Sequence, residues 1–257
     1  MKLLIVRHGD PDYVNDTLTE RGWDEIKLLT KRLTAMKIDE CYVSPMGRAK
    51  DTASLTLKAL NKTATEYDWL QEFPAALHIN DSEALQKAFP DTRTDEHGFV
   101  PRIVWDCVPS YWTTRPEYFD RHLWRESEIA KKSNIVECYD YVTQNFDRFL
   151  AEHGYERCED HYKAVRPNRD TIALFCHFGL QCVLLSHLMN VSPFILWHNT
   201  AMAPSSVSTI YTEEREQGCV TFRAAQIGDV SHLYAGGMEP SFAARFCETY
   251  DDWSERH

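Results

Sequence analysis

The sequence has a deficit of positive charge. Asp and Glu outnumber Lys and Arg by 39 to 28, which gives a formal net charge of -11. An acidic surface repels the phosphates of nucleic acids and of anionic membranes, so neither is an expected partner. A small anionic substrate is still compatible with this composition, because a local cluster of arginines can create a positive pocket.

Long apolar runs and closely spaced cysteine pairs are also missing. The first apolar run, residues 3–6, is much shorter than a signal sequence, and no other run is long enough to cross a bilayer. The eight cysteines form no CxxC pair, which favours free thiols in a reducing compartment over disulfides. We therefore expect a soluble, cytoplasmic, globular protein, and the sequence does not indicate its oligomeric state.

What the sequence does contain is an alternation of short apolar strands and amphipathic helices. T-L-T-E at residues 17–20 is typical of a capping box, and Ser44-Pro45 predicts an N-cap followed by proline at the first helical position. This order predicts an α/β fold, a three-layer α/β/α sandwich with a mainly parallel sheet. The predicted strands are residues 2–6, 40–43, 171–176, 207–212 and 219–225, the last two as a hairpin around Gly218.

The middle of the sequence interrupts this alternation. From about residue 73 to 133, prolines break the periodicity and aromatic residues accumulate, and a long helix resumes at about Ile135. We interpret residues 1–257 as a single domain with an inserted helical and loop cap at about 73–133. The aromatic residues of this insertion either form a core or contact a substrate: they are Phe99, Trp105, Tyr111, Trp112, Tyr118, Phe119 and Trp124.

Cationic and titratable side chains follow three of the predicted strands. Arg7 and His8 follow the first strand, Arg48 lies in the first turn of the helix after the second, and His177 follows strand 171–176. In open α/β sheets ligands bind beyond the carboxyl ends of the strands, so we expect these four residues to share one crevice. Phosphate is the anion that fits guanidinium groups and helix amides best.

Five short motifs resemble those of the histidine phosphatase superfamily, in its phosphoglycerate-mutase-like branch. They occur in order: RHG at 7–9, LTERG at 18–22, SPMGRAKDTA at 44–53, LQE at 70–72 and CHFG at 176–179. Only residues 10–17 separate RHG from LTERG, and this short spacing resembles phosphatases of the broad-specificity and ribazole-phosphate types rather than mutases. The alternatives are a phosphoglycerate-mutase-type phosphotransferase and a non-catalytic phosphate-binding module.

The resemblance implies roles for five residues. His8 would be the nucleophile that carries the phosphoryl group as a phosphohistidine, and Glu72 would be the proton donor. Arg7, Arg48 and His177 would bind the phosphoryl oxygens. The arginines supply the positive charge, so no metal and no cofactor is expected, and the expected partner is a small phosphorylated substrate.

Several assignments keep an alternative. Asp10, Asp12 and Asp68 compete with Glu72 as proton donor, and Asp51 is a possible ion-pair partner that would make Arg48 structural. Asn15 is either a substrate-binding residue or part of a turn.

Further residues near the expected crevice are interpreted as structural or supporting. These are Ser205, Ser206, His198 and the SHL segment 231–233. A zinc site built from Cys176, His177, Cys182 and His187 is disfavoured, since their spacing matches no zinc pattern.

Overall fold

The computed structural model describes residues 1–243 and 246–254, and the chain divides into two compact units. Unit 1 comprises Met1–Glu72, Phe149–Gln181 and the described part of Ala201–His257, and unit 2 comprises Phe73–Arg148 and Cys182–Thr200. Unit 2 begins where the sequence predicts an insertion, but it continues past residue 133 and takes in a second segment. The single domain with a cap at 73–133 stays a prediction.

Unit 1 contains most of the strands. Its strands are β1 (Lys2–Arg7), β2 (Pro11–Asp12), β3 (Thr17–Leu18), β4 (Glu40–Val43), β5 (Thr65–Glu66), β10 (Tyr155–Cys158), β11 (His161–Ala164), β12 (Thr171–Cys176), β13 (Val207–Glu216) and β14 (Cys219–Asp229). Its helices are α1 (Glu20–Thr34), α2 (Gly47–Leu60) and α9 (Ser231–Ala235), with a 3₁₀ turn at Asp68–Leu70.

Unit 2 consists of short elements. Its strands are β6 (Ala76–Leu77), β7 (Thr94–Asp95), β8 (Gly98–Phe99) and β9 (Arg102–Ile103). Its helices are α3 (Glu83–Ala88), α4 (Pro109–Trp112), α5 (Glu128–Lys131) and α8 (Pro193–Asn199), with 3₁₀ turns at Pro116–Tyr118 and Leu123–Glu126. Helices α6 (Ile135–Glu152) and α7 (Phe178–Met189) each belong to both units along their length.

The main sheet of unit 1 has eight strands in the described residues, in the order β10-β11-β14-β13-β1-β12-β4-β5. Strands β1, β12, β4 and β5 pair in parallel, whereas β13 is antiparallel to β1 and the remaining pairs are antiparallel. Only β13 and β11 therefore run against the other six strands. The prediction of an α/β fold with a mainly parallel sheet is confirmed.

Both faces of the parallel strands are buried, because side chains alternate along a strand and β1 is apolar at every position from Leu3 to Val6. Leu4 and Val6 pack into one cluster with Leu29 and Leu33 of α1. The other members of that cluster come mainly from α2, β4 and β12: they are Ile38, Cys41, Val43, Ala49, Ala53, Ala173, Phe175 and Val207.

The opposite face of the sheet is covered in part by the last turn of α6. Tyr42 of β4 alternates with the clustered Cys41 and Val43, and its ring contacts Phe149 and His153, with ring centroids 4.9 and 5.8 Å away. Helices therefore flank the sheet on both faces, as the predicted three-layer arrangement requires. Within the described residues, we find no helix that combines the length and the apolar character needed to span a membrane.

Two local predictions about helix starts were wrong. The N-cap of α1 is Thr19, which accepts a hydrogen bond from Gly22 N–H, so the Thr17-based capping box does not form. Helix α2 begins at Gly47 rather than at Pro45, and its N-cap residue Met46 makes no side-chain cap. The Ser44 hydroxyl is thereby left for another partner.

Strand prediction succeeded where apolar runs are continuous. The strands at 40–43 and 171–176 have the predicted bounds, β1 extends one residue further, and β13 and β14 form the expected hairpin but are longer. The β10–β11 hairpin was not predicted, because buried residues in its strands are interrupted by exposed polar residues such as Glu156 and Lys163.

Candidate active site

The imidazole of His8 lies at the carboxyl end of β1 and is 1% exposed. The backbone on either side of it is fixed, because His8 N–H donates to Cys176 O at 3.0 Å and His8 O accepts from Ser205 N–H at 2.8 Å. Nδ1 lies 2.8 Å from the carbonyl oxygen of Gly9. A carbonyl oxygen only accepts, so Nδ1 carries the proton and Nε2 carries the lone pair.

His177 follows β12 and is fully buried beside His8, with ring centroids 5.2 Å apart. Its Nε2 is 2.8 Å from the hydroxyl oxygen of Ser44, and its Nδ1 has no hydrogen-bond partner within the described residues. Strand pairing explains this proximity, since β12 lies between β1 and β4. Ser44 is a site residue that the sequence analysis assigned to a helix cap instead.

Arg7 is the last residue of β1 and is 4% exposed. Its Nη1 donates to Met202 O at 2.5 Å, and its guanidinium carbon lies 5.6 Å from the ring centre of Phe178. Ser206 O accepts from the Arg7 backbone N–H at 3.0 Å. These contacts hold the guanidinium at the end of the strand that carries His8.

Arg48 lies in the first turn of α2 and is 6% exposed. Its Nη1 donates to Asp16 Oδ1 at 2.6 Å, its Nη2 contacts Met46 Sδ at 3.4 Å, and its Nε has no hydrogen-bond partner within the described residues. The guanidinium carbon is 5.4 Å from the ring centre of Tyr13.

Asp51 was considered as the ion-pair partner of Arg48, but it accepts a hydrogen bond from Thr17 Oγ1 at 2.5 Å. The partner is Asp16, which comes from a distant loop.

The two buried imidazoles are held in the neutral form. Burial, followed by the charges of Arg7, His177 and Arg48, lowers the pKa of His8 well below its ordinary value. Burial, followed by the charges of Arg48 and Arg7, lowers the pKa of His177 in the same way. At neutral pH the site therefore combines two guanidinium cations with two uncharged imidazoles.

The Glu72 side chain contacts the first turn of α7, the helix that begins directly after His177. Its Oε1 accepts from Leu180 N–H at 3.2 Å, and its charge contributes to raising the pKa of the Cys176 thiol, after burial. The competing carboxylates of the first loop are engaged elsewhere: Asp10 accepts hydrogen bonds from the hydroxyls of Thr19 and Ser241.

Asp12 holds Asn15. The amide nitrogen of the Asn15 side chain donates to Asp12 Oδ2 at 2.7 Å, and Asn15 N–H donates to Asp12 Oδ1 at 3.2 Å. The neighbouring Tyr13 is 61% exposed, yet its ring edge faces the His8 imidazole at 6.5 Å. Asn15 therefore closes a loop that presents Tyr13, and its substrate-binding role stays a prediction.

Two of the residues interpreted as supporting belong to different units. Ser205 is buried, adopts a left-handed backbone with φ 59°, and contacts His232 through its hydroxyl at 3.3 Å. His198 lies in unit 2, where Nδ1 donates to Phe194 O at 2.9 Å and Nε2 is 3.3 Å from Cys107 Sγ. Across residues 1–243 and 246–254, no group of three or more His, Cys, Asp or Glu side chains could hold a metal ion.

The fold and this arrangement of side chains define an α/β protein of the phosphoglycerate-mutase-like architecture. A mutant of the phosphoserine phosphatase of Entamoeba histolytica, in complex with phosphoserine, superposes with a TM-score of 0.58 at 13% identity, over 90% of this chain and 98% of that one. YhfR of Bacillus stearothermophilus gives 0.56 at 20% identity, over 90% and 98%. The mycobacterial glucosyl-3-phosphoglycerate phosphatase with inorganic phosphate gives 0.54 at 16% identity, over 90% and 99%.

Residues 3–101 match the family model of the histidine phosphatase superfamily (branch 1), so this segment is similar to that superfamily. No curated protein matches the sequence significantly.

Proposed function

We propose that this protein is a metal-independent phosphomonoesterase that acts on a small phosphorylated metabolite through a phosphohistidine at His8. One observation carries the proposal: a buried, neutral imidazole keeps its Nε2 lone pair within range of the charges of the Arg7 and Arg48 guanidinium groups. A neutral imidazole is the nucleophilic form, and the flanking cations attract the phosphate that it would attack.

The site offers donors that match a phosphoryl group. Met46 N–H donates to Ser44 Oγ at 3.3 Å, so the Ser44 hydroxyl can in turn donate to His177 Nε2. In that arrangement His177 Nδ1 carries a proton and has no acceptor among the described residues, as is also true of Arg48 Nε. Phosphoryl oxygens would accept from both groups, and these bonds strengthen as charge develops on the oxygens in the transition state.

The proposed reaction has two steps. In the first, His8 Nε2 attacks phosphorus, the bond from phosphorus to the leaving oxygen breaks, and that oxygen takes a proton from Glu72. In the second, Glu72 accepts a proton from water as the water oxygen attacks the phosphohistidine, which releases inorganic phosphate and restores neutral His8. The contact of Glu72 with the N–H of Leu180, three residues after His177, and the engagement of the Asp10 and Asp12 carboxylates in loop contacts, favour Glu72 for this role.

The test is hydrolysis of an aryl phosphate in the presence of a chelator. We expect His8→Ala to lower kcat by roughly a thousand-fold or more, because the covalent route is lost. Wild type quenched during turnover should carry acid-labile phosphate, and His8→Ala should carry none. His97→Ala is the matched control, since that side chain is 85% exposed in unit 2.

Other outcomes would contradict the proposal. Turnover that survives His8→Ala, or that the chelator abolishes, rules out the proposed chemistry. A phosphoenzyme that resists water and discharges only to a phosphorylated acceptor would indicate the phosphotransferase. Phosphate binding without turnover or phosphoprotein would indicate a binding module.

A further inference from the structure

Asp16 makes an unusual pair of contacts for a loop carboxylate. Its Oδ1 accepts from Arg48 Nη1 at 2.6 Å, and its Oδ2 accepts from the backbone N–H of Gly47 at 2.7 Å. Gly47 is the first residue of α2, whose own N-cap residue makes no side-chain hydrogen bond. The Asp16 carboxylate therefore caps α2 from a distant loop, and it also forms an ion pair with Arg48, the second residue of the helix.

The backbone is adapted to these contacts at two positions. Asp16 adopts a left-handed conformation with φ 50°, which is uncommon for a residue other than glycine. A Cβ at position 47 would lie 2.2 Å from the backbone oxygen of Asp16, so only glycine fits there. The left-handed backbone of Asp16 and the glycine at position 47 both allow the loop to come close to the start of α2. The residues at these two positions therefore favour the contact.

The contact determines where the rest of the guanidinium points. The group is planar with donors at fixed angles, so holding Nη1 also sets the directions of Nε and Nη2. Tyr13, from the same loop, lies against the guanidinium at 5.4 Å, and Met46 Sδ contacts Nη2. The buried Nε is the donor left without a partner within the described residues.

We propose that Asp16 is a positioning residue, which holds the Arg48 guanidinium so that its Nε edge meets the phosphoryl group attacked by His8. This inference rests on the proposed function of the site. The carboxylate is also a negative charge beside a cation that binds phosphate. It therefore opposes binding of the ground-state dianion while it orients Arg48 for the transition state, and kcat rather than KM should depend on it.

The experiment measures Asp16→Ala and Asp16→Asn by aryl phosphate kinetics and by calorimetric binding of inorganic phosphate. For Asp16→Ala we expect kcat to fall ten- to a hundred-fold while the affinity for inorganic phosphate stays equal to wild type or increases. Asp16→Asn keeps an acceptor for Gly47 N–H and should recover part of the lost kcat. Asp24→Ala is the matched control, since it removes an exposed α1 carboxylate that is paired with Lys27.

Gly47→Ala gives an independent route to the same defect. The added methyl group displaces Asp16 without removing any charged residue, so kcat should fall in the same range. Asp16→Ala and Gly47→Ala break the same contact. The kcat of the double variant should therefore lie within about threefold of the kcat of the less active single variant.

A readout that does not need turnover separates this proposal from the proposed function. In arginine-labelled protein, the Nε–H resonance of Arg48, assigned with Arg48→Lys, should be sharp in wild type and broadened or lost in Asp16→Ala. Unchanged kcat and an unchanged resonance in Asp16→Ala overturn the positioning role. So does a parallel loss of kcat, phosphate affinity and melting temperature, which indicates a structural role only. An inactive wild type with the expected resonance and binding changes would overturn the proposed function alone.

Discussion

His177 in unit 1 is fully buried and His198 in unit 2 is half-buried, and the pKa of each imidazole is lowered, but their surroundings differ. His198 has partners at both ring nitrogens, Phe194 O and Cys107 Sγ, and burial alone accounts for its pKa of about 4. His177 has the charges of two arginines beside it and a ring nitrogen without a partner in the described residues. A lowered pKa is therefore common to both histidines, whereas a ring nitrogen without a partner, close to two cations, distinguishes the candidate active site.

The largest expected effect separates the two histidines by activity. His177→Ala should lower kcat by about 10²- to 10³-fold, because a donor to the phosphoryl oxygens is lost. His198→Ala should leave kcat per folded molecule within about twofold and lower stability instead, because it removes a half-buried ring that has a partner at each nitrogen. Steady-state kinetics corrected for the folded fraction measure both effects. Comparable losses of kcat would remove the distinction drawn here.

A second effect concerns acid stability. The pKa of His198 is lowered from its ordinary 6.5 to about 4, so the unfolded chain takes up the proton first as the pH falls. Stability that is present above pH 6.5 should be lost towards pH 4, by about 3 kcal/mol for this one group. Urea unfolding of wild type and His198→Gln, followed by tryptophan fluorescence (Trp112 lies 4.8 Å from the ring), measures the difference. Equal pH slopes in the two proteins would contradict the assignment.

A third prediction concerns the pH dependence of kcat/KM. Because the pKa of His8 lies well below its ordinary value, the nucleophile stays neutral as the pH falls through 6.5. After correction for ionisation of the substrate, kcat/KM should therefore change by less than about twofold between pH 7.5 and 6. An acid limb centred near pH 6.5 would mean that burial and the nearby arginines do not hold the imidazole neutral.

Among the substitutions of residues near the site, the smallest expected effect is at Asn15. Its amide is bonded to Asp12, so Asn15→Ala should raise KM by no more than about threefold through loosening of the loop. Val14→Ala, at a side chain that is fully in solvent, serves as the control. A tenfold rise in KM with unchanged kcat would instead establish Asn15 as a substrate contact.

The secondary structure of unit 1 was easier to predict from the sequence than that of unit 2. Continuous apolar runs determined the bounds of β4 and β12 because a strand buried on both faces tolerates little else. Residues 73–133 are predicted only as an insertion, since the elements there are two to six residues long and show no periodicity, whereas the long helix from about Ile135 is predicted. Contacts in unit 2 also join residues that are distant in sequence, such as the stacked rings of Trp105 and Trp197, whose centroids are 5.4 Å apart.

In the site, motif order located Arg7, His8, Arg48 and His177, and the structure brings them together. Ser44 and Asp16 were missed for a common reason. Ser44 carries a strong local signal as a helix cap, and Asp51 is the acidic residue three positions from Arg48, so local rules favoured the wrong partners. The actual contacts depend on a loop returning to α2 and on β12 lying beside β4, which no single-sequence pattern encodes.

Strand β1 is hydrogen-bonded along both of its edges, to β12 and to β13. Adding or deleting one residue inside it would turn every following side chain to the other face, so that Arg7 and His8 would exchange surroundings. Insertions and deletions between homologues should therefore fall in the loop after Gly9 and spare the strand before it. Transplanting this site to another protein would require strands β1, β12 and β4 together. The RHG tripeptide alone does not determine which way its side chains point.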